Sequence, residues 1–180
     1  LIELDRYHEN LERRAEIFRA YDQAFKSQSW AITPIHTTNF KISSYHLYLL
    51  RINNISEEKR DLIIQSIFDE GVSVNVHFQP LPLLTAYKNL GYDINDYPEA
   101  FQKFSCEISL PVYYSLSDEN VLNVINAVKN AVNKIRDGSS IVAGLTSVTT
   151  SRNLSLAEIY EKCFAFDFKY YMQLNRAPTA

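Results

Sequence analysis

The sequence predicts an α+β domain, and three observations carry that prediction. Apolar residues recur at helical spacing in several long stretches, shorter stretches are dense in strand formers, and Gly, Pro and Asn punctuate the joints between them. The chain has 180 residues, of which 46% are hydrophobic, enough for one real core, while 4 Gly and 6 Pro are too few for a low-complexity chain.

The opening helix presents Leu4, Tyr7, Leu11, Ala15, Phe18, Tyr21 and Phe25 as an apolar stripe, with Glu3, Arg6, Glu9, Glu12, Arg13 and Glu16 largely off it. Such a helix needs a surface to cover, and uncovered it would drive self-association. It begins at Leu1 without an initiator Met or an N-cap, so further sequence is expected ahead of it. Residues 27–43 are polar and mixed around Pro34, a connection with short extended pieces. Residues 45–52, YHLYLLRI, are strand formers apolar on nearly both faces, as in a central strand. His46 alternates onto the face of Tyr48, Leu50 and Ile52, where a hydrogen-bonded core histidine is expected. Asn53, Asn54 and Ser56 then supply a turn and an N-cap, and Glu57 and Glu58 suit the first turn of a helix whose buried face is Leu62, Ile63, Ile67 and Phe68.

Residues 71–82, GVSVNVHFQPLP, change character twice. Gly71 ends the preceding helix because it can adopt positive φ. Val72, Val74, Val76 and Phe78 alternate with Ser73, Asn75 and His77, the period of a half-buried strand. Pro80 and Pro82 cannot donate ladder bonds, so the strand stops and leaves His77 on the polar face near its end, a place to meet a ligand. A solvated polar-face position is the other reading of His77. Residues 83–90 read as a short helix closed by Gly91, and residues 97–104 as another with Pro98 in its first position. Residues 108–112 predict a third strand that Pro111 makes an edge or a terminus, and Ser117 caps a last regular helix with Val121, Val124, Ile125, Val128, Val132 and Ile135 as its stripe.

From Arg136 the texture changes. Residues 137–152 are rich in Gly, Ser and Thr and read as a linker. Ser155 and Glu158 form a capping-box pattern ahead of an aromatic helix through Tyr160, Cys163, Phe164, Tyr170 and Tyr171, whose rings read as packing surface.

Several function classes are excluded or left without support. The formal charge of −3, with no clustered basic excess, argues against a nucleic-acid surface. Cys106 and Cys163 lack metal-ligand spacing and read as reduced, buried thiols of an intracellular protein. No apolar run reaches the roughly 20 residues of a membrane helix, and no signal-like segment opens the chain, so a soluble, cytoplasmic protein is expected. His8, His36, His46 and His77 show no metal spacing, and there is no Gly-rich phosphate loop and no nucleophile elbow; His8 and His36 read as ordinary surface positions.

Four segments carry a resemblance: LIELDRYHENLERRAEIFRAYDQAF, SSYHLYLLRI, EGVSVNVHFQPLPLLTAYKNLGY and EISLPVYYSLSDENVLNVINAV. In order and spacing they resemble the C-terminal part of sugar aminotransferases of the DegT/DnrJ/EryC1/StrS family, over residues 1–135. The resemblance implies the small domain of the aspartate-aminotransferase fold, a largely antiparallel sheet covered by helices, with residues 1–26 as connecting helix, 27–135 as small domain and 136–180 as linker and helical tail. It implies a pyridoxal-phosphate enzyme, usually a homodimer, that moves an amino group from glutamate to a nucleotide-linked keto sugar. It also implies that cofactor and Schiff-base lysine belong to a preceding large domain, so no catalytic or cofactor-binding residue is assigned to this chain. His77 and Phe78 match the family's His-Tyr pair ahead of a proline, which implies that they line the sugar-nucleotide pocket; Phe78 departs from the commoner Tyr and loses its hydroxyl. Ser109, Leu110 and Pro111 match the family's SLP run, which a strand-ending turn also explains. A non-catalytic binding module or an inactive fragment are the competing readings. The tail segment GLTSVTTSRNLSLAEIYEKCFAFDFKYY faintly resembles the C-terminus of bacterial sugar-phosphate transferases, with several gaps displaced.

Overall fold

The computed structural model describes residues 2–136. The expected linker, the aromatic helix, Cys163 and the second resemblance lie outside the described residues. A short helix α1 (Ile2–Asp5) leads into α2 (Tyr7–Phe25), and then come β1 (Ala31–Ile32), the hairpin of β2 (Thr37–Thr38) and β3 (Lys41–Ile42), and β4 (Tyr48–Ile52). Helix α3 (Glu57–Asp69), the short helices α4 (Thr85–Asn89) and α5 (Pro98–Ser105), β5 (Glu107–Leu110) and α6 (Asp118–Arg136) complete the order.

The main sheet has the strand order β1-β4-β5, antiparallel throughout, with Tyr48 opposite Leu110 and Arg51 opposite Glu107. Tyr48, Leu50 and Ile52 point to one face and meet Ile108 and Leu110 in a core closed by α2, α3 and α6. Helix α6 packs against both α2 and α3, and every residue of its expected stripe is buried. Its Ser117 cap forms, with the Asn120 N–H donating to the Ser117 hydroxyl at 3.2 Å. The Ser56 cap of α3 forms as well, receiving the Lys59 N–H at 3.4 Å. Gly71 and Gly91 stand at φ of +80° and +88° in open space, so backbone conformation rather than room is what requires glycine there.

Four expectations change. The opening stripe is buried only in its second half: Phe18, Tyr21 and Phe25 enter the core, joined by Ile17, which the stripe did not include, whereas Leu4 is 69% exposed. In α3, Ile63 and Ile67 are buried but Leu62 and Phe68 face outward, and the place beside them is filled by Arg60, 3% exposed. His46 is exposed rather than in the core, because Tyr45 takes φ of 52° and breaks the alternation before β4 begins at Tyr48. Residues 72–78 alternate in burial through Val74 and Val76, yet they form no strand, only one bridge between Asn75 and Ser109.

Arg60 ties α3 to Phe104 and Glu107. Its guanidinium donates to the Phe104 carbonyl at 2.9 Å and to the Glu107 carbonyl at 3.5 Å, and lies 4.9 Å above the Phe104 ring. Asp61 accepts from Arg60 Nε at 2.6 Å and Glu57 from Arg60 Nη2 at 3.4 Å. Helix α3 is thereby fixed to the end of α5 and the start of β5. Replacing Arg60→Met keeps the stem's bulk but removes the bonds to two carbonyls and two partly exposed carboxylates, and is expected to cost about 2–4 kcal/mol. Urea unfolding of the full chain measures it; an unchanged midpoint would show the guanidinium to be dispensable.

Candidate functional site

His77 and Phe78 leave the bridge at Asn75 and precede Pro80. His77 is half-buried and its ring meets the Phe78 ring edge-on, with centroids 4.7 Å apart. Phe78 is 76% exposed, so it departs from the buried face of Val74 and Val76 and projects from the surface. The pair therefore offers an imidazole backed by protein and a free aromatic face, suited to a polar ligand carrying a ring or sugar surface. The carboxylate of Glu107, 8% exposed on β5, lies against the backbone N–H of His77. Sequence reading did not single out Glu107; a lone acid between the apolar residues of a strand was the available signal.

A second polar cluster was also missed. Asp22 follows Phe18 by four residues and so shares its face of α2, and a carboxylate among aromatics needs donors. It finds three: the Tyr48 hydroxyl donates to Oδ1 at 2.8 Å, His36 Nε2 lies 3.2 Å from the same oxygen, and Lys26 Nζ lies 2.9 Å from Oδ2. His36, read from sequence as a surface position, is instead packed among rings, 4.7 Å from Phe18 and 5.6 Å from Tyr48 between centroids. Burial pushes the Asp22 carboxyl up, but the bonds from Lys26, Tyr48 and His36 outweigh it and hold the group below the usual carboxylate range. Burial, with the hydrogen bond to Asp22 second, pushes the Tyr48 phenol above its ordinary value. Asp22, Lys26 and His36 border a groove of about 420 Å³ between α2 and residues 33–37. With its lone pairs already engaged, Asp22 acts as an anchor for the segment leading into β2.

His8 is exposed, as expected. Cys106 is half-buried, its thiol donating to the Gln102 carbonyl at 3.2 Å, and burial raises its pKa. Among the described residues no group of His, Cys, Asp and Glu is arranged to hold a metal, and no helix is long and apolar enough to cross a membrane.

The arrangement of α2, α3 and α6 over a small antiparallel sheet is that of a domain of aminotransferases of the pyridoxal-phosphate fold type. Spr1654 of Streptococcus pneumoniae, assigned as a sugar aminotransferase, superposes with a TM-score of 0.74 at 45% identity, over 77% of this chain and 35% of that one. Solved forms of that protein include ones with pyridoxal phosphate and pyridoxamine phosphate. The spore coat polysaccharide biosynthesis protein SpsC of Bacillus subtilis is 34% identical over 138 residues, 73% of this chain and 34% of SpsC. A UDP-4-amino-4,6-dideoxy-N-acetyl-beta-L-altrosamine transaminase of Helicobacter pylori is 29% identical over 118 residues, 66% of this chain and 31% of the enzyme. Residues 1–129 match the DegT/DnrJ/EryC1/StrS aminotransferase family, and the chain belongs to it. It spans about a third of the length of these relatives.

Pyridoxal phosphate was tested against the residues present. A Schiff-base lysine is activated by desolvation or a neighbouring cation. Among the described residues no lysine is buried, and Lys26 and Lys103 are paired with the carboxylates of Asp22 and Glu99. These residues do not fit the cofactor, and no step is derived through it.

The Asp22 cluster generates a pH prediction. Its folded pKa lies below the unfolded value, so its contribution is complete above the ordinary range of about 4 and disappears as the pH falls through the lowered value. Asp22→Asn is expected to be less stable than wild type at neutral pH, with the difference shrinking on acidification. Urea midpoints across that range read this directly; a constant difference would assign the loss to packing.

Proposed function

We propose that this chain is the C-terminal small domain of a pyridoxal-phosphate-dependent aminotransferase that transfers an amino group from glutamate to a nucleotide-linked keto sugar, in the making of polysaccharide or deoxyamino sugars. Residues 1–26 connect it to a large domain that holds the cofactor, residues 27–135 form the small domain, and 136–180 form an appendage. The working enzyme is a cytoplasmic homodimer in this reading. Membership of the family supports it, together with relatives described as a polysaccharide-biosynthesis protein and a nucleotide-sugar transaminase. The observation that carries it to particular residues is the placement of His77 and Phe78, a half-buried imidazole beside a ring that is 76% exposed. His77 would donate to the sugar or diphosphate and Phe78 would pack on the sugar or base.

In the full-length enzyme, His77→Ala is expected to lower kcat/KM for the nucleotide sugar roughly tenfold to a hundredfold, the worth of a hydrogen bond to a charged group. Glutamate half-transamination should stay nearly intact. Equal losses in both half-reactions, or none in either, would remove His77 from the sugar site.

The 180-residue chain by itself is expected to form no stoichiometric aldimine. Incubation with pyridoxal phosphate, borohydride reduction and intact mass measurement test this. One adduct on a single lysine, with glutamate-dependent amine transfer, would place the catalytic centre here instead.

A further inference from the structure

Glu107 is a buried acid that the proposed chemistry leaves unused, and the register of β5 shows what it does. Asn75 and Ser109 exchange both backbone bonds, the Asn75 N–H reaching the Ser109 carbonyl at 3.2 Å and the Ser109 N–H reaching the Asn75 carbonyl at 2.7 Å. In an antiparallel ladder the next such pair lies two residues along each chain, which sets His77 opposite Glu107. The ladder does not continue there. The Glu107 carbonyl, the acceptor His77 would have used, has Arg60 Nη1 at 3.5 Å, and the His77 N–H lies against the Glu107 carboxylate instead. One carboxylate oxygen, Oε1, is buried without a hydrogen-bond partner. An apolar side chain in this place would fold at less cost.

We infer that Glu107 is a positioning residue: its carboxylate grips the backbone N–H of His77 in place of a ladder bond and so sets the aim of the His77–Phe78 pair. The inference rests on the reading that this pair meets the nucleotide sugar, and it adds a control to that site. The charged and titratable groups around the carboxyl are Arg51 from β4, Arg60 from α3, Cys106 beside it in the chain and the His77 imidazole on the facing segment. Burial pushes the Glu107 carboxyl above the usual range; the His77 N–H, Arg51, Ser109 and Arg60 act in the opposite direction without cancelling it. As pH falls, Glu107 therefore takes up its proton before ordinary glutamates do, and its grip on the His77 N–H weakens.

The test starts with the full chain. In wild type, the amide proton of His77 followed by NMR should titrate with a midpoint above the ordinary glutamate value of about 4.3, and Glu107→Gln should abolish that inflection while any inflection from the imidazole persists. An amide that shows no such inflection in wild type, or keeps it in the variant, overturns the inference without need of activity. Because the variant removes a buried charge of raised pKa, it should be no less stable than wild type at neutral pH. In the full-length enzyme, Glu107→Gln should raise KM for the nucleotide sugar about two- to tenfold with kcat little changed, and the effect should be absent when His77→Ala is already present. An unchanged KM in Glu107→Gln while His77→Ala is impaired defeats the positioning role alone; unchanged kinetics in both variants defeats the site reading beneath it.

Discussion

The fold is organised around one buried cation. Arg60 stands where the helical pattern of α3 would accept another aliphatic residue, and it is 3% exposed. A guanidinium cannot give up its charge to escape burial, so it needs acceptors, and here they come from its own helix, at Glu57 and Asp61, and from carbonyls more than forty residues along the chain. Carbonyls at Phe104 and Glu107 close α5 and open β5 against α3. That fixes where β5 starts, and the start of β5 fixes its register on β4, with Arg51 opposite Glu107. The same contact shares the carbonyl that a ladder running on to His77 would use.

A comparable logic runs at α2, where Asp22 is a half-buried ion. Its three donors come from its own helix, from the segment ahead of β2 and from the first residue of β4. The Tyr21 hydroxyl, next to it, donates to the Pro111 carbonyl at 2.8 Å just past the end of β5. Adjacent residues of α2 therefore hold the entrance of the central strand and the exit of the last one. Apolar burial supplies the cohesion of this core, and these few directional bonds select the arrangement.

Periodic segments were legible in the sequence, and residues whose role depends on distant partners were not. The stripe of α6, the caps at Ser56 and Ser117, the glycine stops and the Pro98 start follow from local rules that the structure obeys. The alternation at residues 72–78 correctly gave the burial of Val74 and Val76, but alternation does not ensure pairing, and only Asn75 finds a partner on β5. His36 and His46 exchanged expectations for the same kind of reason. Tyr45 turns the backbone left-handed and throws His46 outward, while Asp22 draws His36 in. Of the candidate site, the His77–Phe78 pair was proposed from strand-ending prolines and family resemblance, whereas Glu107 drew notice only once the register of β5 was known.

The way β5 is finished also bears on how the sheet treats other chains. An edge strand with open N–H and carbonyl groups is a template for foreign strands and a seed for fibrillar stacking. On the outer side of β5 the Ser109 groups are both taken by Asn75, the Glu107 carbonyl is taken by Arg60, and Pro111 follows at once. At the opposite edge β1 has only two residues, too short a run to recruit a partner strand. Both edges of the described sheet therefore offer a foreign strand few open backbone groups in a row, and they do so with a single bridge, an arginine and a short strand rather than with an added strand.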